Sequence, residues 1–126
     1  MHDLNCLCDV QKPDFVFTDD RGTLCQLIHE GYQQANVVYT KKGSKRGGFH
    51  YHKENEELFY IVCGKIKVCL RLQAQAEEYV FEKGDMFRIH KYVRHDFSFL
   101  EDTILVGFYD RGVEKPDGTK DIYTDE

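Results

Sequence analysis

The stretch "GGFHYHKENEELFYIVCG", Gly47–Gly64, decides how the chain is read. It sets two imidazoles, His50 and His52, one residue apart where the pattern predicts a β-strand. Residues i and i+2 of a strand point the same way, about 6–7 Å apart, so both rings can converge on one ion. The short turn "KENE" follows, and a hairpin there returns Glu57 to the same side. Glu56 competes with Glu57 for that place; whichever carboxylate does not face the histidines is solvated. The run "ELFYIVC" is apolar on both faces, so one face meets the core and the other meets a second sheet or a second subunit.

On either side the same two-residue period continues. In "KIKVCLRL" the residues Ile66, Val68, Leu70 and Leu72 fall on one face, with Lys65, Lys67 and Arg71 on the other, which marks a half-buried strand. "EEYVFEKGDMFRI" predicts two strands about Lys83-Gly84-Asp85. "HDFSFL" and "TILVGFY" are joined by "EDT", "DFVFT" and "TLCQLI" flank "DDRG", and "ANVVYT" runs into the loop "KKGSKRGG". "QAQAEE" reads as a hairpin connection. No segment holds a helical period over three turns. Many short strands in a small chain predict an all-β sandwich or jelly-roll barrel. A strand leading from Gly84 and a return turn near "HKYV" bring His95 to the start of a strand, as a third imidazole. Three imidazoles and a carboxylate suit a divalent transition metal, with positions left for water or substrate.

Composition narrows the function classes. The 126 residues suit one domain, 1–126, with a core barrel over about 14–110 and a polar surface tail over 111–126. The formal net charge is -5, and the one dense basic cluster, "KKGSKR", is short and ends beside the histidines. That argues against nucleic acid, which needs a basic face, and leaves room for a small anion. No apolar run reaches membrane-spanning length, and "MHDLNCLCDV" lacks a signal-peptide pattern; the expected location is the cytoplasm, with no membrane partner. The five cysteines are odd in number, which predicts reduced thiols. Cys6 and Cys8 form a C-x-C pair, read either as soft metal ligands or as incidental neighbours.

The spacing His50-x-His52-x4-Glu57-x6-Gly64 resembles the first motif of the cupin superfamily, and Gly84-x10-His95 resembles the second. The six-residue gap to Gly64 selects Glu57 over Glu56. The second motif departs from the usual pattern at His90, Tyr92 and Phe99, where the family has Pro, Gly and Asn. The resemblance implies a single-domain cupin jelly-roll β-barrel holding a divalent transition metal (Zn, Fe, Mn or Ni) through His50, His52, Glu57 and His95. "FTDDRGTL" and "RGGFHYHK" further resemble sugar-nucleotide cupins, the dTDP-4-dehydrorhamnose 3,5-epimerase-like and 3,4-ketoisomerase-like proteins. "GGFHYHKENEELFYIVCGK" with "EKPDGTKDIY" resembles the metal-bearing cupin domain of capsular polysaccharide enzymes. Those ketoisomerases work without metal and lack the glutamate that stands here as Glu57.

The resemblance implies an isomerase or epimerase acting on a nucleotide-linked keto-sugar in surface polysaccharide synthesis. The expected catalytic residues are His50, His52 and Tyr39, and the expected substrate contacts are Arg21, Arg46, Lys53 and Tyr60. Each has a plainer reading: Arg21 pairs with Asp19 or Asp20 in its turn, Arg46 and Lys53 are solvated, and Tyr39, Tyr51 and Tyr60 fill the core. His90 is an additional site residue or a turn-capping one. Two other functions stay open, a non-heme iron dioxygenase and a non-catalytic sugar-binding cupin. A homodimer built by sheet contact is expected from the two apolar faces of "ELFYIVC".

Overall fold

The computed structural model describes residues 6–111 and 114–124. The first five residues, and positions 112, 113, 125 and 126 of the expected tail, lie outside the described residues. The strands are β1 (Cys8–Gln11), β2 (Phe15–Asp19), β3 (Gly22–Gln26), β4 (Gln34–Thr40), β5 (Lys45–His50), β6 (Glu57–Cys63), β7 (Lys65–Leu72), β8 (Gln75–Glu82), β9 (Met86–Ile89), β10 (Arg94–Phe99) and β11 (Thr103–Tyr109). One sheet has the order β1-β9-β6-β11-β4 and the other β5-β10-β7-β8, while β2 and β3 form a separate hairpin. This is the all-β jelly roll that the periodicity and the motifs predicted. "QAQAEE" does hold a hairpin connection: the chain turns at Gln73–Ala74 and β8 then pairs back along β7.

The alternating residues meet between the two sheets. Phe59, Ile61 and Leu105 of the larger sheet pack against Ile66, Val68 and Leu70 of the smaller one, all buried. Phe81 and Phe87 stack at 4.1 Å between ring centres and fill one end. The tight turn into β7 needs Gly64: its φ is 101°, and a Cβ there would run into Thr103 and the Asp102 carbonyl. At Gly47 a Cβ would lie 2.6 Å from the His95 carbonyl, so the missing side chain lets β5 close on β10.

Three boundaries differ from the sequence reading. The larger sheet starts before position 14, because β1 pairs along β9 and Leu7 and Cys8 are buried in the core. The tail is not all surface: Asp121 is buried, and Tyr51 and Tyr123 exchange backbone hydrogen bonds of 2.9 and 3.0 Å. The outer face of β6 is met by the chain itself, since Leu58, Met86 and Phe108 pack with Leu27, Ile28 and Tyr32 from the β3–β4 connection. A short polar-looking connection with a few apolar residues gives no periodic signal, so its covering role was not legible.

Candidate metal centre

β5 and β10 pair with His50 opposite His95. His52 lies just past the end of β5 and faces the same way as His50, with Tyr51 between them facing out. Glu57 opens β6 in the opposite sheet, so the cluster bridges the two layers. One ligand atom from each of His50, His52, Glu57 and His95 lies within 4.8 Å of all the others. Glu57 Oε1 stands 2.5 Å from His52 Nε2 and 3.3 Å from His95 Nε2. His52, Glu57 and His95 are buried, and His50 is half-buried.

The tautomers follow from the other side of each ring. His52 Nδ1 lies 2.5 Å from the Asp121 carbonyl and His95 Nδ1 lies 3.3 Å from the Val93 carbonyl. A carbonyl only accepts, so both Nδ1 atoms carry hydrogen and, when the rings are neutral, both Nε2 lone pairs face Glu57. His50 is tied to the Gly47 backbone. Inward lone pairs around a carboxylate oxygen repel one another unless a cation lies among them. His52 Nε2 and Glu57 Oε1 are buried without a hydrogen-bond partner, close as they are. This donor set fits a divalent transition metal.

Burial, then the neighbouring rings, sets the charge states. Burial pushes His95 down to about 4 and outweighs the pull of Glu57. Burial, with His52 adding to it, also holds His50 below the usual histidine range. Burial acts the same way on His52, but Glu57 and the Asp121 carbonyl outweigh it and raise that ring. Burial would raise Glu57, yet the three imidazoles hold it below the usual carboxylate range.

The cluster opens on a cavity of about 260 Å³ lined by His50, Glu57 and His95, the apolar Val38, Phe97, Phe99 and Leu105, and Arg46 and Tyr109. Arg46 donates from Nε to Thr40 Oγ1 at 2.8 Å. The other expected contacts sit elsewhere. Tyr39 is 70% exposed on β4, because its neighbour Val38 takes the inward place. Tyr60 packs on the outer face of the larger sheet. Arg21 binds Asp19 at 2.6 Å in its own exposed turn, the plainer of its two readings. Lys53 turns its ammonium over the Tyr123 ring at 4.2 Å. His90 is held between Glu56, 3.0 Å away, and Asp9, 3.3 Å away. Cys6 and Cys8 are not in the metal-type cluster found among the described residues, and burial pushes the Cys8 thiol up to about 12.

Two residues were missed. Tyr109 reaches the cavity from the last position of β11, and burial, with Glu57 next, pushes its hydroxyl up to about 12. The inward register of "TILVGFY" was the available signal. Asp121 accepts hydrogen bonds from the backbone N–H groups of Lys53, Glu54 and Asn55 at 2.9, 2.9 and 3.1 Å. It thereby ties down the turn between His52 and Glu57, and no local pattern announces a contact from so far along the chain.

A cupin domain model matches residues 36–108, which span β4 to β11 and carry all four residues of the cluster. The chain belongs to the cupin family. A 3,4-ketoisomerase from Helicobacter canadensis is similar to this cupin at 18% identity and a TM-score of 0.77, over 94% of this chain and 90% of that one. The dTDP-4-dehydrorhamnose 3,5-epimerase from Sulfolobus tokodaii is similar at 22% identity and a TM-score of 0.72, over 86% and 72%. The capsular polysaccharide assembling protein CapF from Staphylococcus aureus is similar at 25% identity and a TM-score of 0.65, over 92% of this chain and 33% of that one. No curated protein matches the sequence. No helix of the described chain is long and apolar enough to cross a membrane.

Proposed function

We propose that this cupin binds a divalent transition metal and isomerises or epimerises a nucleotide-linked keto-sugar, in the cytoplasm and in the service of surface polysaccharide synthesis. The observation that carries the reading is the inward-facing His52–Glu57–His95 set at the floor of a cavity with Arg46 and Tyr109 on its wall. The space of about 260 Å³ suits a single sugar ring, so a nucleotide would extend outward past Arg46. Likeness to nucleotide-sugar epimerase and ketoisomerase structures supports the substrate class.

His52, Glu57 and His95 would hold the metal, which leaves the inward lone pair of His50 for the substrate. Bound there, a metal supplies positive charge beside a sugar carbonyl. His50 borders the cavity and stays neutral near pH 7, because burial holds it below the usual histidine range. It takes the proton alpha to the carbonyl, the C–H pair becomes the C=C of an enediolate and the C=O pair moves onto oxygen; for isomerisation the imidazolium returns the proton to the former carbonyl carbon while the neighbouring hydroxyl proton passes to that oxygen, and for epimerisation solvent supplies the proton on the opposite face. Tyr109 stays protonated and donates a hydrogen bond to the developing oxyanion. Arg46 grips the diphosphate through parallel N–H groups. The test is deuterium exchange from solvent into nucleotide-linked 4-keto-6-deoxyhexoses, followed by NMR. Exchange is expected with wild type and lost in His50→Ala. Arg46→Ala is expected to weaken nucleotide-sugar binding about tenfold or more, with metal retained, while Arg21→Ala changes nothing. If wild type binds no nucleotide sugar in calorimetry, the reading fails.

The apolar wall of Val38, Phe97, Phe99 and Leu105 favours one second reading, an iron-dependent oxygenase with a less polar substrate. Oxygen uptake by the iron-loaded protein in the presence of substrate would select it.

We also propose a homodimer, formed through the β2–β3 hairpin rather than through β6. Phe17 pairs across from Leu24 on one face, with Phe15 beside them, and they are 48%, 58% and 53% exposed. A two-stranded hairpin is marginal alone, and among the described residues no strand pairs with the outer edge of β4. Sedimentation is expected to give a dimer at micromolar concentration and a monomer for Phe17→Ser/Leu24→Ser; a monomeric wild type overturns this.

A further inference from the structure

The inner face of the larger sheet carries a polar row across β6, β11 and β4, which lie side by side. Register places Tyr109 of β11 opposite Glu57 of β6, and Asn36 of β4 opposite Gly107, two residues before Tyr109. Residues two apart on a strand share a face. Val38 and Tyr109 line the cavity, so Asn36 and Gly107 face inward with them.

Gly107 matters by what it lacks. A Cβ there would stand 3.2 Å from the Phe59 ring and 3.9 Å from Tyr109 Oη. The Tyr109 side chain therefore lies back along β11 over a bare stretch of strand, and its hydroxyl reaches the level of Asn36. The side chains of Asn36 and Glu57 both hydrogen-bond that hydroxyl, from neighbouring strands on opposite sides. Glu57 is a carboxylate and accepts the hydrogen, so Asn36 donates from its amide to the oxygen. Asn36 does not itself border the cavity, and whatever it does there it does through the tyrosine.

A phenol has one hydrogen, which keeps to the ring plane on one side of the oxygen or the other. An N–H donating from the β4 side occupies that side and turns the hydrogen toward β6, where Glu57 borders the cavity. Without it the hydroxyl is free to turn away, and a donor aimed the wrong way stabilises no charge in the site.

We propose that Asn36 is a positioning residue for Tyr109, holding the hydroxyl with its hydrogen turned into the metal cavity. Its consequence for catalysis rests on the isomerase or epimerase reading. The hydrogen passes from Glu57 to the oxyanion of the keto-sugar by a small turn on one side of the ring, with no reversal of the hydroxyl.

Two variants separate this from a structural role. Asn36→Leu keeps the size and removes the donor. Asn36→Asp keeps the shape and, when ionised, offers only acceptors, so it draws the hydrogen the wrong way. In protein labelled with carbon-13 at tyrosine Cζ, the Tyr109 resonance is assigned by its loss in Tyr109→Phe. It should move in both variants, and more than in Val38→Ala, which alters the same face without removing a hydrogen bond. In the deuterium-exchange assay Asn36→Leu should lower kcat about tenfold and leave KM within about twofold, and Asn36→Asp should lower kcat further. Added to Tyr109→Phe, Asn36→Leu should cost nothing more. A Tyr109 resonance that moves no more than in Val38→Ala overturns the proposal; so does an equal loss of exchange in the wild-type and Tyr109→Phe backgrounds. If wild type exchanges no deuterium into any nucleotide sugar, the isomerase reading fails, and the Tyr109 resonance alone decides whether Asn36 holds the hydroxyl.

Discussion

The two faces of β5 and β10 carry opposite kinds of chemistry at one-residue spacing. Inward, His50 lies across from His95, both held below the usual histidine range first by burial, and beside a buried carboxylate. Outward, the half-buried Phe49 and Arg94 and the buried Tyr51 form an aromatic and cationic layer beside Arg71. The inner face suppresses positive charge on His50 and His95 and gathers lone pairs. The outer face keeps positive charge and shields one side of it with π-systems. A strand's period of two keeps both sets of groups in the same few residues without mixing them. The comparison teaches that "GGFHYHK" holds two surfaces, of which the histidine motif is one.

The largest expected effect tests whether the inner face is one site. His52→Ala, Glu57→Ala and His95→Ala should each reduce bound metal by more than about tenfold, and His50→Ala should reduce it least of the four. Arg71→Ala should leave it untouched. Elemental analysis of purified variants measures this. Full metal in His95→Ala together with loss in His90→Ala would move the site to the other end of the turn and dissolve the contrast between faces.

A smaller effect is expected at Asp121. Its carboxylate holds the 53–55 turn and its carbonyl sets the His52 tautomer. Asp121→Ala keeps the carbonyl and removes the clamp, so metal affinity should fall about 10–100-fold, the range for partners that orient ligands. Competition with a chromogenic chelator reads the change. An unaltered affinity would show that β5 and β6 alone fix the inner face.

The smallest effect concerns pH in metal-free protein. His95 titrates near 6.5 when unfolded and at about 4 when folded. The unfolded chain therefore binds more protons between these values, and stability falls as pH drops from about 6.5 to about 4. Glu57, held low by its imidazoles, loses its contribution in the same direction. His52, which is raised, opposes them, its contribution being lost as pH rises. Thermal unfolding in chelator should show a midpoint several degrees lower at pH 5 than at pH 7. His95→Asn should flatten that slope, and Arg71→Ala should not.

The sequence made the strands and four clustered residues legible because both rest on short-range spacing. Period two in "KIKVCLRL" and "FHYH" is a local consequence of the pleat; the turn at "KENE" is no hairpin, because it carries the chain from β5 across to β6 of the opposite sheet, yet it too returns Glu57 beside the histidines within a few residues. The misplaced residues failed for the opposite reason. Tyr39 and Val38 differ by one step of register, which is set by the pairing of β4 with β11 and not by β4 itself. Tyr60 belongs to the other face of a strand that is apolar on both sides, where alternation carries no information. Asp121 acts across 66 to 68 positions on the 53–55 turn. The outer layer depends on Arg71 and Arg94 standing opposite each other, which follows only from register between strands far apart in sequence.

The Asp121 clamp also orders events during synthesis. All four cluster residues are translated by His95, yet the carbonyl that fixes the His52 ring comes only with Asp121. A ribosome-bound chain that has exposed all four cluster residues still lacks the last restraint on one of them. The cluster is therefore completed only after the sheets that carry it have been made.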